Sequence, residues 1–524
     1  MRARGLLPVC LFLSLVVGCG SDGGLPPIVP FEGAPGVPVD PGNPNPTPPP
    51  NPTPTPTPAP AVTFDAQFID LTTPGAFPSD VVGDGNGSLY TVDDAQIPAT
   101  VLRFPFTGGA QATPSVTIAA ADLIDSDGTQ PAVTPNTIDF GGGLFGAFTG
   151  DLEVVFERWL LVTVGAGNSA SAIDGAPVRL ANLLVIDMQA GEIVQTINLG
   201  WSLPESHTLS DGSTQAAIPQ SLPSQVTFVP DLNGSNTGRI YVAMGNGAGS
   251  ASGLTLWHPG TVQIWRADFT RAEPIEPDLT GLNPQFATRT FVSENFNPVS
   301  VRSFRNRLGL DYLLLTNAGA SRFDANFNAV PETETVIEVL DLTTFVWRPS
   351  LAQSLGAVLP ATQRAAIGRD ATGRPFAAFT SQTFSAAYLF DLSGLDVDPP
   401  VAGRGLLRTI DLAAGGSTTI GSGFHPGVGL TNSARTLVTS RFLPAQLQVV
   451  SLPGDVANGS ITVDPAPFDG NEMFADDTGG LGALVVPRNN VSDVYVITNG
   501  TFDMSFAPLG NAHIGTLTTR DGLR

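Results

Sequence analysis

The sequence predicts an all-β fold, and three observations predict it. Beyond residue 62 the apolar residues fall in short alternating runs, such as Arg239 to Met244 and Asp493 to Thr498, bounded by Gly, Asn, Asp and Pro. No stretch past the first 18 residues carries a 3.6-residue apolar stripe of useful length. The runs also recur as a unit, at intervals of about 55 to 90 residues: a Pro-led strand, a turn, a second strand, then two more. A four-stranded meander cannot bury both of its faces alone, so such units must stack. Seven of them around one axis make a seven-bladed β-propeller of four-stranded blades.

In chain order the first element is a secretory signal. Arg2 and Arg4 precede an apolar run from Leu6 to Val17 that is too short for a transmembrane helix, which needs roughly 20 residues. The run ends in Val16-Val17-Gly18-Cys19, which resembles the lipobox of bacterial lipoproteins. That resemblance implies removal of residues 1–18, a diacylglyceryl group on Cys19 and an acylated amino terminus. It places the chain in the bacterial cell envelope with the membrane as a partner. Gly20, where Asp would retain such proteins at the inner membrane, favours the outer membrane in an organism that has one. An ordinary secretory signal cut near Gly18 is the other reading.

Residues 19–61 form the second element. Between Ser21 and Pro60, 16 of 40 residues are proline, which fixes φ and lacks an amide donor. The tract reads as a polyproline II spacer, and its last twenty residues would reach on the order of 60 Å.

Residues 62–524 form the propeller. Its units begin at Pro78, Pro223, Pro298, Pro426 and Gly482, with degenerate versions from Gln363 and from Pro135. Third strands follow at Leu183 to Asp187, Thr335 to Asp341 and Ala387 to Asp391, each ending on an apolar residue and Asp. Ala66 to Leu71 looks like the fourth strands Thr196 to Leu199 and Thr409 to Leu412, so the region 63–72 is expected to close the last blade, 479–519. His513 to Thr518 is the other candidate for that outer strand. The Pro-strand-turn-Tyr-Val pattern followed by apolar-Asp resembles the YVTN-type seven-bladed propellers, loosely and over most of the region.

Composition closes several chemistries. The chain has no lysine, which removes Schiff-base catalysis and Walker-type phosphate loops. Both cysteines, Cys10 and Cys19, precede the folded part, and the lipobox resemblance implies that Cys10 leaves with the signal and Cys19 carries lipid, so no thiol is expected there for a disulfide, a metal or a nucleophile. The four histidines, His207, His258, His425 and His513, form no paired metal motif. Loss of Arg2 and Arg4 takes the net charge from −23 to −25. Such a chain is expected to be repelled by nucleic acid and by anionic lipid head groups.

Propeller ligands sit over the central channel, near the starts of the innermost strands. Those starts carry Ser79, Asp80, Asn136, Ser224, Gln225, Asn297 and His425, a polar rim suited to a metal or a small polar ligand. The competing reading is that Pro-Ser and Pro-Asn make turns. Asp84-Gly-Asn86, Asp125-Ser-Asp127 and Asp231-Leu-Asn233 alternate oxygen donors in the way Ca²⁺ uses, but the first and last fall where hairpin turns are needed. Asp125 and Asp127, in a connection between blades, are the better metal candidates. No cofactor is required; Ca²⁺ or another divalent cation is what these oxygens suit. His258, beside Trp257, reads as a satisfied polar group.

Two functions follow. The first is a membrane-anchored, non-catalytic binding or scaffold module for an unidentified protein or small molecule. The second is a divalent-metal-dependent hydrolase or lactonase. Gluconolactonase-type propellers hold their cation with Glu, Asn and Asp, for which this chain offers Asp80, Asn136 and Asn297 but no matching glutamate.

Overall fold

A computed structural model describes the chain between residues 64 and 519, apart from short gaps and the longer intervals 106–112, 125–146, 280–287, 357–364, 413–427, 470–483 and 499–510. The signal, Cys19 and the proline tract therefore lie outside the described residues. Described helices are three single 3-10 turns, at Ala120–Asp122, Pro349–Leu351 and Ser393–Asp396; the fold is all-β.

Seven sheets of four or five antiparallel strands account for most of the described residues. In chain order their first strands are Pro78–Gly83, Ala147–Val155, Pro223–Pro230, Pro298–Arg305, Ala366–Arg369, Val428–Leu430 and Leu484–Val485, and we number the sheets one to seven accordingly. These strands form the inner row. Pro78–Gly83 packs on Ala147–Val155, that strand on Pro223–Pro230, and Pro223–Pro230 on Pro298–Arg305. Pro78–Gly83 also packs on Asp493–Thr498 of the seventh sheet, so the row returns on itself. Meander sheets packed in a returning row are the architecture of a β-propeller.

The core lies between sheets rather than at one centre. Leu160, Val162, Leu184 and Ile186 of the second sheet pack toward the first, with Val82, Tyr90 and Val101. Their sequence neighbours Leu161, Leu183 and Val185 point the other way, onto Val226, Ile240 and Trp265 of the third. Alternate side chains therefore serve two cores, because successive residues of a strand face opposite sides. This is why Ala181–Asp187 and Pro375–Thr380 are buried along their whole length.

The seventh sheet joins the two ends of the described chain. Phe64–Pro74 pairs antiparallel with Asn511–Thr519, Phe64 opposite Thr519, and that strand pairs with Asp493–Thr498. Phe64–Pro74 is thus the outer strand, while His513 to Thr518 lies inside the sheet, third from the axis. The first described strand of the second sheet begins at Ala147; Pro135 and Asn136, the expected start of that unit, lie outside the described residues.

We call the end where inner strands start the upper end and the opposite end the lower one. Connections between second and third strands and between sheets lie above. Hairpins joining first to second and third to fourth strands lie below.

Candidate functional site

One position near the start of successive inner strands carries an oxygen-bearing side chain that reaches the next sheet. Asp80 Oδ2 accepts the N–H of Leu152 at 3.3 Å, and Asp151 Oδ2 accepts that of Val226 at 2.8 Å. Gln225 Oε1 accepts from Val301 at 2.5 Å, and Ser300 Oγ from Ala365 at 2.9 Å. All four side chains are buried. Each lies at or beside a break in register with the second strand, between Pro78 and Val81, Thr149 and Leu152, Pro223 and Gln225, and Pro298 and Ser300. A β-bulge re-aims the side chain it contains. Here it turns an acceptor sideways to an amide of the neighbouring inner strand.

Two residues expected over the channel, Asp80 and Gln225, belong to this fastening row. Ser79 lies beside Asp80 in Pro78–Gly83. Asn297 sits at the turn before Pro298 with φ +55°, its carbonyl accepting from Ala318 at 2.8 Å, and Leu222 before Pro223 does the same toward Gly245. Asn tolerates the left-handed region better than most residues, which explains its use there. Asp125, Asp127, Asn136 and His425 lie outside the described residues. Among the described residues no three of His, Cys, Asp and Glu gather as a metal-binding group. Asp84 and Asp231 work in turns: Asp84 Oδ1 accepts from the Ser88 amide at 2.9 Å, and Asp231 Oδ2 from Thr237 Oγ1 at 2.7 Å.

The structure instead brings together two histidines that are 51 residues apart, at the upper end of the third sheet. His207 starts a short strand in the connection from the second sheet, paired with Thr214–Gln215. His258 immediately precedes the third strand, Pro259–Asp268. His207 Nε2 lies 2.6 Å from His258 Nδ1, and His207 Nδ1 lies 3.0 Å from the Glu205 carbonyl oxygen. A carbonyl only accepts, so His207 carries its proton on Nδ1 and presents a bare Nε2. His258 must then donate from Nδ1, which leaves its own Nε2 as a basic acceptor. Burial first, and the neighbouring His207 second, push the His258 pKa down to about 4, so it is neutral near pH 7.

A buried polar network lies behind the pair. Asn246 Oδ1 accepts from the Ser221 amide at 3.0 Å, and its Nδ2 donates to Thr261 Oγ1 at 2.9 Å. Thr261 Oγ1 donates to Gln220 Oε1 at 2.5 Å, and Gln263 Nε2 donates to the Leu199 carbonyl at 2.8 Å. Gln220 Nε2, Ser221 Oγ and Trp257 Nε1 are buried without a hydrogen-bond partner. Unsatisfied donors of this kind are costly unless water or a ligand meets them. The sequence shows both histidines but not their meeting, because a 51-residue separation carries no local pattern.

No family model matches the chain, and no curated protein matches it. Among solved structures, the RRP9 WD40 repeats are 7% identical, with 88% of this chain and 100% of that one covered and a TM-score of 0.46. Virginiamycin B lyase from Staphylococcus aureus is 10% identical, with 87% and 99% covered and a TM-score of 0.41. The periplasmic gluconolactonase of Pseudomonas aeruginosa is 14% identical, with 87% and 99% covered and a TM-score of 0.38. Likeness at this level does not bear on activity.

Proposed function

We propose that the protein is a lipid-anchored, extracytoplasmic propeller of seven blades whose upper end binds a protein or small molecule without acting on it chemically. Cys19 would carry the lipid, in the cell envelope and by preference at the outer membrane, and residues 19–61 would be the spacer. The lipobox-like Val16 to Cys19, the proline tract and the YVTN-like strand pattern support that reading. The seven sheets in a returning row support the blade count.

One observation carries the binding role. Three consecutive sheets extend the connection between their second and third strands into an extra hairpin at the upper end. These are Ala172–Ile173 with Ala176–Pro177, Gly247–Ser250 with Gly253–Trp257, and Ser321–Phe323 with Ala329–Pro331. The second and third pack against each other. Isolated two-stranded hairpins add little stability, whereas loops on a rigid scaffold are where recognition is placed.

Two measurements test the reading. Mass spectrometry of the mature chain should find a diacylglyceryl Cys19 at the amino terminus, and Cys19→Ser should release the protein from membranes. Metal analysis, thermal melts with Ca²⁺ or EDTA and a panel of lactones should show no tight metal, no shift and no turnover. Stoichiometric metal with metal-dependent turnover would overturn the non-catalytic role in favour of a hydrolase.

A further inference from the structure

The connection from the second sheet to the third forms a ribbon on the upper end. Ser202–Leu203 pairs with Ile218–Pro219, and beyond them His207–Thr208 pairs with Thr214–Gln215. Pro204, Glu205, Ser206 and Thr208 are exposed, as is the tip from Asp211 to Ala216. The ribbon meets the third sheet at Trp257 and His258. Trp257 donates its amide to Ser210 Oγ at 3.0 Å and accepts the Ser210 amide on its carbonyl at 3.0 Å. Next to this contact, His207 meets His258, and both rings are buried.

At that meeting the ring edges face each other, not the ring planes. The centroids are 4.9 Å apart with the planes at 51°, whereas His207 Nε2 and His258 Nδ1 are 2.6 Å apart. A ring nitrogen carries its lone pair or its proton in the ring plane, so both nitrogens point into one gap. The other nitrogen of His207 donates to the Glu205 carbonyl at 3.0 Å. That outer contact is the kind that fixes the tautomer of a metal-ligating histidine. The fold thus supplies a histidine pair that no spacing along the sequence shows.

We propose that His207 Nε2 and His258 Nδ1 bind a divalent transition ion of the kind imidazole favours, such as Zn²⁺, which clamps the ribbon to the third sheet. Without the ion, the proton on His258 Nδ1 fills the contact. With it, that proton passes through solvent to Nε2 of the same ring, so the ring stays neutral and no proton is released. Nitrogen–zinc bonds of about 2.0–2.1 Å at a tetrahedral angle set the two nitrogens roughly 3.3 Å apart, so the rings part by about 0.7 Å. His207 can supply that movement, because it lies in a two-residue strand between the exposed Ser206 and Thr208. Among the described residues no third His, Cys, Asp or Glu joins the pair, so solvent or a bound partner takes the remaining positions. Two protein ligands leave the ion exchangeable, and it is not retained as tight metal through purification. Ca²⁺, which takes six to eight oxygens, does not suit the pair. The site depends on the fold alone and needs neither the lipid anchor nor a catalytic role.

The experiment uses the full chain without added histidines and with Cys10→Ser and Cys19→Ser, so that no thiol competes. Zn²⁺ is titrated by calorimetry, and imidazole nitrogen shifts are recorded with and without it. The expected result is one ion per chain, no competition from an equal concentration of Ca²⁺, and a change of His258 from Nδ1- to Nε2-protonated. His207→Gln and His258→Gln should each weaken binding about tenfold or more, since loss of even an outer partner of a ligand costs that much. His425→Gln and His513→Gln should leave it unchanged. Circular dichroism checks that each variant keeps its fold, and the nitrogen shifts need no variant. Binding that survives both His207→Gln and His258→Gln would overturn the site. So would saturating Zn²⁺ that leaves His258 protonated at Nδ1. Absence of binding at millimolar Zn²⁺ would sink the site while sparing the binding role proposed above. Zinc-dependent turnover of a lactone, lost in the two variants, would spare the site and sink the non-catalytic role.

Discussion

The carboxylate of Asp151 lies 2.8 Å from the backbone nitrogen of Val226, and through that bond the second sheet holds the third. Asp151 is fully buried. Asp151→Ala leaves a buried amide without its acceptor, at a cost of about 1–3 kcal/mol. Asp151→Asn keeps an oxygen at the same reach and is expected to cost less. Urea unfolding of both variants checks this, and equal losses would remove the fastening role.

The histidine pair sets a pH dependence. The His258 pKa is about 4 in the folded protein, below the ordinary histidine value of 6.5. Between those two values the unfolded chain binds the extra proton, so stability falls as pH falls from 6.5 toward 4. Above 6.5 the contribution is fully present. His258→Gln should flatten this part of the stability profile. Carboxylates such as Asp187, held low by Arg158, lose their contribution only below the usual carboxylate range, so the two effects separate. Nitrogen chemical shifts should show His258 protonated at Nδ1, and an Nε2-protonated ring would contradict the assigned hydrogen-bond chain.

Prolines that lead the inner strands rest on glycines of the preceding sheet. A Cβ at Gly260 would stand 2.6 Å from Pro298 Cδ, and one at Gly165 would stand 2.9 Å from Pro223 Cδ. Gly260→Ala is therefore expected to destabilise by about 1–3 kcal/mol through overpacking. Combining it with Pro298→Ala should recover part of that loss, because the two sites are in contact. Additive losses in thermal melts would argue against the seat.

Phe269 closes the lower side between the second and third sheets, with ring centroids 5.5 Å from Trp159 and 5.7 Å from Phe228. Phe269→Ala is expected to cost about 3–5 kcal/mol. Arg158→Ala, which removes a cation over Trp159 at a half-exposed position, should cost far less. Denaturant midpoints would rank the two, and the reverse order would place the stability in the ion pair instead.

Much of the fold was legible because strand period, turn residues and repeat length are local. The apolar-Asp ends of third strands were visible as a pattern, and their reason is local too. Asp187, Asp341 and Asp391 each accept an amide two residues on, which closes the turn into the outer strand. The candidate site was legible only in part. Asp80 and Gln225 stood out as polar residues at strand starts, yet nothing in the sequence tells whether an oxygen faces a channel or an amide of the next sheet. Asp151 was missed because Thr149-Gly150 precedes it where Pro78-Ser79 precedes Asp80 and Pro223-Ser224 precedes Gln225, so no proline marks the start.

By itself the sequence determined the all-β class, the repeating unit and the chemistries excluded by the lack of lysine and by the lack of cysteine beyond residue 19, since each depends on composition or on neighbours along the chain. Tertiary structure decided the rest. It alone set Asp151 against Val226 and brought His207 to His258. Each of these relations joins residues that are distant in the chain, and only the packing of one sheet on the next makes them near.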